Sequence, residues 1–122
     1  MSQRYKYQLS VIIVNYNVEY FLNQCLDAVK KASKNLQVEV IIVDNDSVDG
    51  SLKMLKENYP EHHLIANKEN VGFSTANNQG IKESNGEYVL LLNPDTVVTE
   101  STLEKVVAFM DENKNAGGLG VR

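Results

Sequence analysis

Short apolar runs and helical stripes alternate along this chain. Residues 9–14 (LSVIIV) form a run that predicts a buried strand. Leu22, Cys25, Leu26 and Val29 then recur at i, i+3, i+4 and i+7, the spacing of one helix face, and Asn17 is placed to cap that helix. Residues 38–43 (VEVIIV) predict a second strand. Leu52, Leu55 and Tyr59 mark a second helix that stops before Pro60. Residues 63–66 (HLIA) predict a short third strand near a sheet edge. Residues 73–82 predict a third helix, less apolar than the others, and residues 88–92 (YVLLL) a fourth strand. Leu103, Val106, Val107 and Met110 give a fourth helix, with Ser101 and Glu104 spaced as a capping box. Residues 117–121 read as the start of a fifth strand.

Strand–helix alternation with continuous apolar strands predicts an α/β fold. It is a three-layer α/β/α sandwich with a mainly parallel sheet covered on both faces. Crossovers are expected to be right-handed. No internal repeat, low-complexity stretch or linker interrupts the pattern. The chain stops as its last strand begins, with no helix to close it. The expectation is one domain, residues 1–122, truncated at its C-terminal end.

Composition narrows the functional classes. A length of 122 residues with 43% hydrophobic content supports one core and not two. The formal net charge of −4 argues against nucleic acid as a partner held by a general basic surface. A polyanionic ligand must instead meet backbone N–H groups, local cations or a metal. Cys25 is the one cysteine, so no internal disulfide can form and a cytoplasmic setting is favoured. No apolar run approaches the roughly 20 residues that span a bilayer. Peripheral membrane association stays open.

In a parallel sheet the segments after each strand gather on one edge, and ligands bind there where the strand order reverses. Asn15, Tyr16 and Asn17 follow the first strand, Asp44 the second, and Asn93, Pro94 and Asp95 the fourth. Asn and Asp also serve as ordinary turn and cap residues; Asp46, Ser47 and Asp49 are read that way, as caps of the second helix. Asn70 and Gly72 precede the third helix, whose free N–H groups can face an anion. Ala76, Asn77 and Gly80 share one face of it. Packing explains the two small residues and does not explain Asn77. Pro94 ends the fourth strand and leaves Asp95 in the turn. Beside a phosphate, that acid implies a divalent cation such as magnesium, since two like charges about 4 Å apart repel by roughly 4 kcal/mol at an effective dielectric near 20. His62 and His63 are read as solvent-facing, and Cys25 as a core residue. There is no P-loop and no G-x-S-x-G nucleophile elbow.

Taken in order, SVIIVNYN, VEVIIVDNDSVDGS, NKENVGFSTANNQGI and GEYVLLLNPDT resemble the N-terminal half of family 2 glycosyltransferases. LNPDT preceded by ANNQG is closest to the rhamnosyltransferase-like branch. The resemblance implies the Rossmann-like, nucleotide-binding half of a GT-A fold and transfer of sugar from a nucleoside diphosphate donor, usually with inversion. It implies that Asn15, Tyr16 and Asn17 line the nucleotide pocket and that Asp44 hydrogen-bonds the base. Asn77 and Gly80 lie in the family's segment beside the nucleotide and phosphates. Asn93-Pro94-Asp95 takes the place of the family's Asp-x-Asp motif, with Asp95 as ligand to Mg or Mn. The first acid of that motif is Asn93 here, and Asn77 stands where the family commonly has Arg. The family's catalytic base lies in the acceptor-binding half, beyond Arg122, so no catalytic residue is assigned. The fragment is expected to be inactive alone. Its glycan or lipid-linked acceptor would be bound by the missing half, in the cytoplasm or at the inner face of the membrane.

Two other classes compete. A phosphorylatable receiver would need paired acids after the first strand, an Asp after the third and a Lys after the fifth, and this chain supplies none of them. A non-catalytic nucleotide-binding module would share every donor-site residue.

Overall fold

The structure, a computed structural model, describes residues 5–113. In chain order the elements are β1 (Tyr7–Asn15), α1 (Glu19–Ala32), β2 (Val38–Asn45), α2 (Ser51–Asn58), β3 (His63–Asn67), α3 (Phe73–Lys82), β4 (Gly86–Leu91) and α4 (Thr102–Glu112). The four strands form one parallel sheet in the order β3-β2-β1-β4. The expected three-layer α/β sandwich is therefore present. The fifth strand expected at residues 117–121 lies outside the described residues.

The alternation of β1 explains the layers. Successive strand residues face opposite sides of a sheet. Leu9, Val11 and Ile13 pack with α1, α2 and α4 side chains in one core, centred on Leu22, Leu26 and Leu103. Ile12 and Val14 join Ile41, Val43 and Ala76 of α3 in a smaller core on the other side. β1 and β2 are buried on both faces because they lie inside the sheet. β3 and β4 are edges among the described strands; β4 alternates in exposure, and no residue of β3 is buried. Each fully buried Leu, Ile or Val contributes about 1.5–3 kcal/mol, so the first core dominates stability. On α3 the buried face is only Ala76, Asn77 and Gly80. A Cβ at Gly80 would stand 2.6 Å from Cγ2 of Ile12, so the helix lies unusually close to β1.

Several local expectations are corrected. Asn17 does not cap α1: the helix begins one residue later, with Val18 at the cap and no side-chain cap bond. Asn17 instead adopts φ 53° and turns its side chain toward the neighbouring loop. Ser101 does precede α4, but it makes no capping bond; Thr102 Oγ1 accepts from the Thr99 N–H in the same turn. β4 starts at Gly86, two residues early, because Tyr7 pairs with Gly86. Leu92 lies past its end yet still donates to the Ile12 carbonyl. Of the two histidines, His63 is surface-exposed and pairs with Glu83. His62 is not: its side chain is 14% exposed and its ring stacks on Tyr59.

Candidate functional site

The chain builds outward from β1 through β2 to β3, then crosses back to place β4 on the other side of β1. The strand order thus reverses between β1 and β4. The crevice at their C-terminal ends is the expected ligand position in such sheets. Tyr16 and Asn17 leave β1 there, Asn93–Asp95 leave β4 there, and α3 runs beneath β1 on one face. Three of the four strands end on asparagine, at Asn15, Asn45 and Asn67. Each lies where the ladder stops and amide side chains must take over.

The first of these networks joins the loops after β1 and β2. Asn15 and Asp44 are cross-strand partners, and both are fully buried. Asn15 Nδ2 donates to Asp44 Oδ1 at 2.8 Å and to Ser47 Oγ at 3.2 Å. The Ser47 N–H donates to Asp44 Oδ2 at 2.9 Å, and the Asn17 N–H to Ser47 Oγ at 2.9 Å. Asn17 Oδ1 returns the link by accepting from the Val48 N–H at 2.7 Å. Ser47 is therefore not a helix cap but a buried bridge, which corrects its sequence reading. Asp46, read as a cap as well, is exposed at φ 64°.

Asp49 does cap, and it serves two helices. Its Oδ1 accepts from the Ser51 N–H, and its Oδ2 from the Glu19 N–H at the start of α1. Glu19 Oε1 in turn accepts from the Gly50 N–H at 3.0 Å. Burial opposes charge at Asp49, yet the bonds from Ser51 and Glu19 outweigh it and lower its pKa below the ordinary 3.8. The folded state then binds this proton less tightly than the unfolded chain, so stability rises with pH through that window. The contribution is complete above 3.8 and is lost as pH falls through the lowered folded value. The melting-temperature gap between wild type and Asp49→Asn is expected to narrow as pH drops from about 6 toward 3. A gap constant across that range would remove Asp49 from the acid response.

The acid turn after β4 is held from behind. The Asn93 carbonyl accepts from the Thr96 N–H at 3.0 Å and from Cys25 Sγ at 3.8 Å. Burial, then the nearby charge of Asp95, pushes the Cys25 thiol up to about 12. Cys25 is thus a neutral core residue, as its helical position implies. Asp95 itself is exposed and accepts no hydrogen bond among the described residues. No Lys or Arg occurs in the loop between β1 and α1, in that between β2 and α2, or from Leu92 to Ser101. The loops after β1, β2 and β4 thus bring acids and no side-chain cation to this edge, while the loop after β3 carries Lys68 beside Glu69.

Among the described residues no group of three or more His, Cys, Asp or Glu side chains is placed to hold a metal. One free carboxylate still fits a hard cation that draws most of its oxygens from phosphate and water. Asn70 uses its Oδ1 to accept from the Gly72 N–H, shaping the turn into α3. Gly72 sits at φ 86°, a conformation that favours glycine. Asn77 is 5% exposed and its side chain makes no hydrogen bond among the described residues. Sequence reasoning reads Ser47 as a cap, places Asn45 at the loop edge without a role, and does not find Asn67 or Gln79; for Asn45 and Asn67 the available signal is a polar amide ending a strand.

The model of glycosyl transferase family 2 matches residues 10–122. The chain belongs to this family. Family 2 relatives include the minor teichoic acid biosynthesis protein GgaB of Bacillus subtilis (strain 168). It is 37% identical over 118 residues, covering 93% of this chain and 13% of that protein. The poly(ribitol-phosphate) beta-glucosyltransferase of Bacillus spizizenii (strain ATCC 23059 / NRRL B-14472 / W23) is 32% identical, covering 93% of this chain and 19% of that protein. Residues 1–349 of S. aureus TarS, solved in complex with UDP, superpose with a TM-score of 0.76 at 26% identity, covering 88% of this chain and 33% of that one. The chain thus spans a third or less of each of these family members. No helix among the described residues is long and apolar enough to cross a membrane.

Proposed function

We propose that this chain is the donor-binding portion of a family 2 glycosyltransferase that uses a nucleoside diphosphate sugar. The observation that carries the reading is the exposed Asp95 carboxylate after β4, at the switch point with β1, whose following loop carries the half-exposed Tyr16 ring. Tyr16 offers an aromatic face on which a base stacks. Asn17 shapes the same pocket wall. Asn15 and Asp44 lie beneath it with no exposed surface, so their part is to hold the wall. A direct bond from Asp44 to the base requires the two loops to part. Asn70 and Gly72 set the start of α3, Gly80 brings the helix close, and Asn77 offers its unpaired amide to the sugar or diphosphate.

Asp95, with Asn93 beside it, would hold a divalent metal, Mg or Mn. When bound, that metal neutralises charge developing on the departing diphosphate. Deprotonation of the acceptor hydroxyl needs a base. No acid of this chain is assigned that role, and the chain alone is expected to bind donor without transferring sugar. The acceptor is proposed to be a glycan or lipid-linked chain met outside these residues, in the cytoplasm or at the inner membrane face.

A thermal-shift screen of UDP, GDP and dTDP, each with and without manganese, tests the reading. A binder raises the melting temperature by mass action, about 2.7 kcal/mol at a hundredfold excess over Kd. UDP with manganese is expected to give the largest shift, and a dTDP preference would support the rhamnosyltransferase-like branch. No shift with any nucleotide would overturn the donor site. A non-catalytic nucleotide-binding module would give the same shifts; sugar transfer by a longer chain carrying these residues separates the two.

A further inference from the structure

Behind the crevice, four amide and carbonyl groups form a closed chain of hydrogen bonds. Gln79 on α3 and Asn67 at the end of β3 bond reciprocally: Asn67 Nδ2 donates to Gln79 Oε1 at 2.8 Å, and Gln79 Nε2 donates to Asn67 Oδ1 at 3.1 Å. Asn67 Nδ2 also donates to Asn45 Oδ1 at 3.0 Å. Asn45 Nδ2 donates to the Gly72 carbonyl at 3.2 Å. The chain leaves α3 at Gln79, crosses the ends of two strands, and returns to α3 at its cap.

We propose that Asn45, Asn67 and Gln79 are positioning residues that set α3, and with it Asn77, against the sugar-diphosphate half of the donor. This rests on the donor-binding reading above. The apolar grip on α3 is small, since its buried face offers only Ala76 and Gly80 around Asn77. Small residues bury little area, so packing alone leaves the helix free to turn or slide. Hydrogen bonds at two separated points on one helix restrict both motions. Asn77 shows what needs restricting. The residue is 5% exposed and its amide makes no hydrogen bond among the described residues, so the amide stays available to a ligand.

Adjacent residues of β2 divide the work. Side chains at neighbouring strand positions point to opposite faces. Asp44 bonds to Asn15 and Ser47, within the loops proposed for the base. Asn45 bonds toward β3 and α3. The two halves of the donor are therefore served by separate networks, and damage to the Asn45 network is selective.

Calorimetric titration of UMP, UDP and UDP-GlcNAc, with manganese and well below the melting temperature, tests this. Asn67→Ala is expected to weaken UDP-GlcNAc about tenfold while changing UMP by less than about twofold. Gln79→Leu, which keeps the strand-end pair intact, gives a smaller loss in the same order and serves if Asn67→Ala does not fold. Gln79→Glu, which still accepts from Asn67, recovers most of the affinity. Equal weakening of all three ligands, or no weakening of UDP-GlcNAc, would overturn the positioning role. Wild-type protein binding none of the three would overturn the donor reading itself, and this inference with it.

Discussion

Asp95→Ala is expected to erase the metal-dependent part of nucleotide affinity while leaving the fold intact. The carboxylate is exposed and accepts no hydrogen bond among the described residues, so its removal leaves no buried group unpaired. Surface changes of this kind stay within about 0.5 kcal/mol. Binding is a different matter. The loops after β1, β2 and β4 carry no Lys or Arg, so they offer a diphosphate no cationic side chain to replace a lost metal. Loss of groups that merely orient metal ligands costs roughly 10–100-fold in affinity, and loss of the ligand itself should cost at least as much. Titrations of UDP with and without manganese should coincide for the variant and differ for wild type. A manganese effect of the same size in both proteins would exclude Asp95 as a ligand. Relief of the negative charge beside Cys25 should also lower the thiol pKa from about 12, which slow alkylation at high pH can follow.

Asp44→Ala is expected to act on stability and binding together. Its carboxylate is fully buried and accepts from Asn15 Nδ2 and the Ser47 N–H. Truncation leaves both donors buried without that acceptor, at about 1–3 kcal/mol each. At roughly 4 °C per kcal/mol for a domain of this size, the melting temperature should fall by about 10 °C or more. Nucleotide affinity should drop equally with and without manganese, because the loop carrying Tyr16 and Asn17 loses its anchor to the loop carrying Ser47. Asp44→Asn keeps one acceptor oxygen and should fall between the two. Melting and binding like wild type would show that the Asp44 network contributes neither stability nor pocket shape.

These two acids differ in how far the sequence exposes them. Both follow apolar runs, and that pattern marks both as candidates. Nothing in the local pattern distinguishes a carboxylate sealed under two loops from one that points into solvent. The difference arises because Asp44 ends a central strand, facing Asn15 across the ladder. Asp95 lies past β4, an edge among the described strands, in a turn closed by the Thr96 N–H. The same gap explains the errors at Ser47 and Asn17. Position before a helix predicts a cap at each, but partners about 30 residues away in sequence outcompete the local cap. His62 shows it too, since a residue before an edge strand is ordinarily exposed and here stacks on Tyr59.

What the sequence determines by itself is periodic and local. Apolar runs of strand length alternate with helical stripes, which is enough for the α/β class, the element order, the parallel sheet and the edge on which the loops gather. Those properties follow from how backbone geometry spaces side chains, and each can be counted within a dozen residues. Tertiary structure alone decides which polar side chains at that edge satisfy one another and which remain open. Asn15, Ser47, Asn45, Asn67 and Gln79 are consumed or linked by partners distant in the chain, while Asp95 and Asn77 are left over. Hydrogen bonds between strand ends depend on sheet order and register, and β1 meets β4 only after the chain has built two other strands. Asp95 and Asn77, which this pairing leaves without a hydrogen-bond partner among the described residues, are the side chains proposed to meet the donor.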